Sequence, residues 1–286
     1  MSRIAYVNGR YRPLRKAMVS IEDRGLQFAD GVYEVCEVRG GRIVDERRHM
    51  ERFDRSLAEL RIARPMVPTA LAVVMRETIA RNRVRDGIVY VQITRGAARR
   101  DFPFPDAVAT KPTLIVTARG NDIARLERLA SEGVAVITMP DIRWGRVDIK
   151  SVALLPNVLA KQAARDQGAH EAWLTDRQGR VTEGASSNAW IVSRDGTILT
   201  HPLGHDILPG VTRSVVIKVI KAQGLAFEER AFTVEEAYQA REAFVTSASQ
   251  IVLPVVAIDG RPVGNGAPGL VAAALRREYY RFAEAS

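Results

Sequence analysis

Asp141-Ile-Arg-Trp-Gly-Arg-Val-Asp-Ile-Lys150-Ser-Val-Ala-Leu-Leu-Pro156-Asn-Val-Leu-Ala-Lys-Gln-Ala-Ala164 is the stretch around which the chain is organised. Val147 and Ile149 alternate with Asp148 and Lys150, the period of a strand or extended segment. Beyond Pro156 the pattern predicts a helix, with Asn157 as N-cap and Gly168 as its stop. Lys150 stands just before that junction, with Val152, Ala153, Leu154 and Leu155 beside it. The chain has six lysines against thirty-six arginines, so an amine here is a specific choice. In an apolar pocket an ammonium loses hydration, its pKa falls, and it becomes a nucleophile or Schiff-base former. The plainer alternative is a snorkelling Lys with its head in solvent.

A length of 286 residues suits about two domains, and 47% hydrophobic with 26% charged residues suits a chain with a sizeable core. Cys36 is the single cysteine, which excludes an internal disulfide framework and fits a reducing compartment. The N-terminus has no signal pattern and no apolar run is long enough to span a membrane, so a cytoplasmic protein is expected. A net charge of +9 raises the question of nucleic acid. The arginines are dispersed, however, and no aromatic array interleaves with them. A small anionic ligand accounts for a few of these arginines more economically.

In chain order, Asn8-Gly9 between strand-like runs is a hairpin signal. Glu22 to Gly31 is a polar, Gly-punctuated loop. Gly31 to Val44 is a second hairpin, with Val32, Glu34, Cys36 and Val38 on one face and Tyr33, Val35 and Glu37 on the other. Helices are expected over 47–62, where Met50, Phe53, Leu57 and Leu60 share a face, and over 69–84. Strands are expected over 89–95 and 113–117, with a Pro- and Arg-containing loop over 96–106 between them. Residues 120–124 are a linker between an N-terminal domain, 1–119, and a C-terminal domain, 125–286. Hairpins and clustered helices in both halves argue for α+β layers rather than a regular βαβ series.

Three features of the C-terminal half fit around one small anionic cofactor. Lys150 is the first. Gly210-Val211-Thr212 opens a helix whose free N–H groups and dipole favour a phosphate, although a plain helix start has the same letters. Thr182-Glu183-Gly184-Ala-Ser186-Ser-Asn188 places an acid and small hydroxylated residues between two strands, which an ordinary β-connection also does. His201 and His205 have metal-like spacing, but Pro202 and Gly204 forbid a helix and no third ligand stands nearby, so no metal is expected. Gly264-Asn-Gly266-Ala-Pro-Gly269 matches a dinucleotide pattern by letter only, because too little chain follows for a βαβ unit.

Asp23-Arg-Gly-Leu-Gln-Phe-Ala-Asp-Gly-Val-Tyr-Glu34, Asp141-Ile-Arg-Trp144, Asp148-Ile-Lys-Ser151, Thr182 to Asn188 and Leu208-Pro-Gly-Val-Thr-Arg213 together resemble the class IV pyridoxal-phosphate aminotransferases, nearest to the D-amino-acid enzymes. The resemblance runs in order over nearly the whole chain. It implies fold type IV (α/β, a small N-terminal and a larger C-terminal domain), pyridoxal 5′-phosphate between the domains, and a homodimer. It further implies Lys150 as the Schiff-base lysine and Glu183 on the pyridine nitrogen. Arg52, Val211 and Thr212 would cradle the phosphate, with Ser247 and Ala248 beside it and Ser186 also at the cofactor. Leu208 would lie under the ring, and Tyr33 and Arg100 would bind the substrate carboxylate.

Two departures stand out. Ala248 replaces a frequent Thr, and Phe102 stands where the D-enzymes carry a His, removing one donor from the carboxylate trap. The implied reaction is transfer of the amino group of a D-amino acid to 2-oxoglutarate or pyruvate. Branched-chain L-amino-acid aminotransferase, (R)-amine transaminase and aminodeoxychorismate lyase are the sibling activities. A basic nucleic-acid-binding protein without cofactor is the alternative from another class.

Overall fold

A computed structural model describes residues 3–286, and among these the chain divides into two compact units. The first ends at Asp122 and takes back Ile149–Ala153 and Glu284–Ser286; the second comprises Ile123–Asp148 and Leu154–Ala283. Lys150 thereby lies in the first unit.

The first unit holds β1 (Ile4–Val7), β2 (Arg10–Pro13), α1 (Arg24–Phe28), β3 (Gly31–Arg39), β4 (Arg42–Ile43), α2 (Glu46–Glu59), α3 (Pro68–Arg81), β5 (Gly87–Thr94) and β6 (Thr113–Gly120). Its strands form one antiparallel sheet in the order β2-β1-β6-β5-β3-β4. Asn8 and Gly9 make the β1–β2 turn with φ of 45° and 88°, the left-handed pair that a two-residue hairpin requires. On β3 the alternation holds: Val32, Glu34, Cys36 and Val38 are buried, and Tyr33, Val35 and Glu37 are half-buried. Phe53 and Leu57 of α2 and Leu71, Met75 and Ile79 of α3 close a core over this sheet. The loop expected over 22–31 contains α1, because the Asp23 side chain accepts from the Gly25 N–H and caps a short helix.

The second unit holds α4 (Ile123–Glu132), β7 (Val134–Pro140), α5 (Leu155–Asp166), β8 (Glu171–Thr175), β9 (Val181–Gly184), β10 (Asn188–Val192), β11 (Ile198–Thr200), α6 (Val211–Ala222), β12 (Phe227–Glu229), α7 (Val234–Tyr238), β13 (Glu242–Ser247), β14 (Ile251–Ile258), β15 (Arg261–Pro262) and α8 (Leu270–Phe282). A mixed sheet runs β12-β11-β10-β13-β14-β7-β8-β9, with β15 on β14. β7 pairs parallel with both β14 and β8.

Two local expectations fail around Lys150. Gly145–Asp148 form a turn rather than a strand, because Gly145 breaks the segment and Arg146 folds back onto Asp148 (Nε to Oδ1, 2.9 Å). The helix begins at Leu155 with Leu154 as N-cap, so Pro156 lies in its first turn, where a missing N–H costs nothing. Asn157 therefore does not cap; its Nδ2 donates to the Ala185 carbonyl at 2.8 Å.

Candidate active site

The backbone around Lys150 is pinned to the start of β3. Val32 bridges Ser151, the Tyr33 N–H donates to the Lys150 carbonyl at 3.0 Å, and the Val152 N–H donates to the Gly31 carbonyl at 3.0 Å. From the other side the Lys150 N–H donates to Ser56 Oγ of α2 at 3.3 Å, and Ile149 is buried in the core. The half-buried Lys150 side chain is thereby led across Tyr33, with Nζ 4.3 Å from the ring centre. Tyr33 stacks in turn on Tyr90 at 5.6 Å. Burial, with Tyr33 beside it, pushes the Tyr90 hydroxyl up.

Next along β3, the fully buried Glu34 carboxylate faces α2. Arg52 clasps it through Nε (2.7 Å) and Nη2 (2.8 Å), and His49 Nδ1 lies 2.8 Å from Oε2. Burial opposes the charged Glu34, but Arg52 and His49 overcome it and hold the carboxyl well below its ordinary value. Burial likewise lowers the His49 pKa, against the pull of Glu34. Because the folded-state pKa of Glu34 lies below its unfolded value of about 4.5, its stabilisation is complete above that pH and is lost as acid titrates the folded group. Glu34→Gln should destabilise the protein by about 3–5 kcal/mol, since it leaves the buried Arg52 charge without its partner. Urea unfolding at neutral pH checks this, and a change under about 1 kcal/mol would mean that Arg52 finds another counter-charge.

In the second unit Glu183, on β9, is buried among donors. Arg143 Nη1 donates to Oε1, Asn188 Nδ2 donates to Oε2 at 2.9 Å, and the Leu208 N–H reaches both oxygens at 3.1 Å. Arg143 is itself held by Asp141 (Nε to Oδ1 2.9 Å, Nη2 to Oδ2 2.7 Å), whose Oδ2 also accepts from Thr182 Oγ1 at 2.9 Å. Burial works against the Asp141 charge, yet these donors hold its carboxyl below the usual range. Arg143 and Asn188 were not singled out in the sequence, although both lie inside quoted motifs.

α6 opens at Val211 and Thr212, both buried, and Gly210 gives it no side-chain cap. A Cβ at Gly210 would meet Asn188 Oδ1 at 2.0 Å, so the same asparagine that orients Glu183 requires glycine at this helix entry. At the end of β13, Ser247 Oγ is buried without a hydrogen-bond partner, and Ala248 follows it into the turn to β14. Ser186 is exposed and donates to Glu171 Oε2 at 2.6 Å.

Arg100 and Phe102 lie apart from Tyr33, on the exposed loop after β5. The Arg100 guanidinium is 5.1 Å from the Phe28 ring centre, and Phe102 packs on Phe28 at 5.7 Å. Arg24 donates to the carbonyls of Asp101 (2.6 Å) and Phe102 (3.3 Å), and Phe104 lies under Arg95 at 3.6 Å. Arg100 itself is exposed. In the first unit Lys150 thus meets Tyr33 while Arg52 clasps Glu34, and the second unit groups Leu208 and Asn188 around the Glu183 carboxylate.

Residues 31–258 match the sequence family described as Amino-transferase class IV. A D-alanine aminotransferase of Bacillus licheniformis is 41% identical over 262 residues, covering 92% of this chain and 90% of that one. One from Staphylococcus haemolyticus is 39% identical, covering 98% and 97%. Among solved structures, a T.th. branched-chain amino acid aminotransferase with pyridoxamine 5′-phosphate superposes with a TM-score of 0.87 at 28% identity, over 98% of this chain and 94% of that one. The Escherichia coli branched-chain enzyme gives 0.88 at 24% identity over the same shares, a likeness of fold.

Proposed function

The chain belongs to the class IV aminotransferases, and from that premise we propose that it moves the amino group of a D-amino acid, with D-alanine as the first substrate to try, to a 2-oxo acid such as 2-oxoglutarate or pyruvate. Its cofactor is pyridoxal 5′-phosphate. The observation that carries the proposal is the fixed Lys150 amine over Tyr33, at 4.3 Å, in a chain about 40% identical to D-alanine aminotransferases.

The residues present suit this cofactor. Ser247 Oγ is a buried donor in want of an acceptor, and α6 begins without a capping side chain, as an anion-binding helix start does. Val211, Thr212, Ser247 and Ala248 would hold the phosphate, with Arg52 supplying positive charge and Leu208 lying at the ring. Bound, the cofactor supplies an aldehyde that condenses with amines and a ring that accepts the electron pair released at the substrate α-carbon. Lys150 Nζ would be the base that takes the proton from the substrate α-carbon and the acid that gives it back. Glu183, oriented by Arg143, Asn188 and the Leu208 N–H, would keep the cofactor's ring nitrogen protonated. Tyr33 adds a hydroxyl donor for the substrate carboxylate.

Handedness is assigned to Arg100, whose planar guanidinium pairs with a carboxylate in a fixed direction. In a homodimer this loop would serve the neighbouring copy. Met18, Ile21, Leu26, Phe102 and Val108 of the same unit are large apolar side chains left exposed, which is consistent with a second copy. A branched-chain L-enzyme is the second reading, favoured by Phe102 in place of a donor. The deciding experiment is kcat/KM for D- and L-alanine in wild type, Arg100→Ala and Phe102→His. D-alanine should be preferred, Arg100→Ala should raise its KM by roughly 10- to 100-fold for one lost charged hydrogen bond, and Phe102→His should lower it. Preference for L-alanine with Arg100→Ala silent would move the chain to the branched-chain reading.

A further inference from the structure

The turn between β13 and β14 ends on a residue that should not be comfortable there. Ile251 has φ +62°, in the left-handed region, where a β-branched side chain is strained. Such an outlier persists only where its surroundings over-determine it, and it marks a position whose geometry matters. Two side chains supply the constraint. Arg276, on α8, places Nη1 on the carbonyls of both flanking residues, Gln250 at 2.6 Å and Val252 at 3.0 Å. Gln250 Nε2 lies 2.7 Å from His170 Nε2. An amide nitrogen only donates, so the imidazole accepts, which requires it to be neutral. Burial, with Lys161 nearby, lowers the His170 pKa and favours that state.

His170 is fixed in turn. Its backbone N–H donates to the Ala135 carbonyl at 2.8 Å, and its carbonyl accepts from Lys161 Nζ at 2.7 Å. What the braced turn carries is Ser247, whose Oγ is buried and unpartnered, with the Gln250 N–H closing onto the Ser247 carbonyl at 3.3 Å.

We propose that Gln250, His170 and Arg276 are positioning residues for the cofactor phosphate: they hold the strained Ser247–Ile251 turn so that the Ser247 hydroxyl is free for an anion before the cofactor arrives. A donor turned inward to a protein acceptor would have to be broken away at binding. Held without a partner, it loses nothing when the phosphate comes. This rests on the assignment of Ser247 and Ala248 to the phosphate.

The test compares dissociation constants of the resolved full-length protein for pyridoxal 5′-phosphate and for pyridoxal, which lacks the phosphate. Gln250→Ala should weaken pyridoxal 5′-phosphate about tenfold, the factor of one lost neutral hydrogen bond, leave pyridoxal within about twofold, and leave kcat at saturating cofactor unchanged. His170→Ala should do the same, and the double variant should lose little more than either single one, because the two act through one contact. Equal loss for both ligands, or no loss, overturns the proposal. Ser247→Ala separates the two levels. If it leaves the phosphate preference intact, the phosphate assignment fails and takes the proposal with it. If it lowers that preference while Gln250→Ala is silent, only the brace is wrong.

Discussion

Lys150→Ala will abolish steady-state transamination while leaving the fold intact. A positioned proton-transfer group is worth roughly 10²–10⁴-fold, and the variant loses that together with the amine that would tether the cofactor. The fold should survive because Lys150 is placed by its backbone: Tyr33, Gly31 and Ser56 bond to the peptide groups of 149–153, and the side chain meets the Tyr33 ring. Borohydride reduction of wild type with bound cofactor should fix the label to the peptide containing Lys150. Label on Lys161 or another lysine, or normal turnover in Lys150→Ala, would remove the assignment.

Glu183→Gln is expected to have the second largest effect, a fall in kcat of roughly 10²–10³-fold, the usual cost of losing one preorganised electrostatic group. An amide cannot keep a ring nitrogen protonated. Its NH₂ would also face Arg143, Asn188 and the Leu208 N–H, all of them donors to the present carboxylate. Cofactor affinity should change less, because Val211, Thr212 and Ser247, the residues proposed for the phosphate, are untouched. The measurement is kcat at saturating cofactor beside the cofactor dissociation constant. Weak retention with normal turnover would make the carboxylate structural.

What the sequence disclosed, and what it did not, follows from the range of the interactions. Asn8-Gly9 disclosed its turn because left-handed φ is a local demand that few residues meet. The β3 alternation disclosed which residues face inward, Glu34 among them. It could not disclose that a carboxylate there is tolerable, since that depends on His49 and Arg52 arriving from α2. Val147–Lys150 alternates as a strand does, yet Gly145 and the Arg146–Asp148 pair win over the pattern and make a turn. β7 pairs in parallel with β14, across more than a hundred residues, which no local period encodes. Lys150 and Glu183 stand inside motifs that are visible in the sequence. The supporting contacts are not visible there: Arg143 reaches Glu183, and Gln250 reaches His170, only once the strands are assembled.

The most direct measurement is a single half-reaction. Protein saturated with pyridoxal 5′-phosphate, and given no 2-oxo acid, is mixed with D-alanine or with L-alanine, and the pyruvate released per chain is counted. The account predicts one pyruvate per chain from D-alanine, no further turnover until a 2-oxo acid is added, and none from L-alanine on the same timescale, as a ping-pong enzyme with a handed carboxylate clamp requires. Stoichiometric pyruvate from L-alanine, with none from D-alanine, would contradict it.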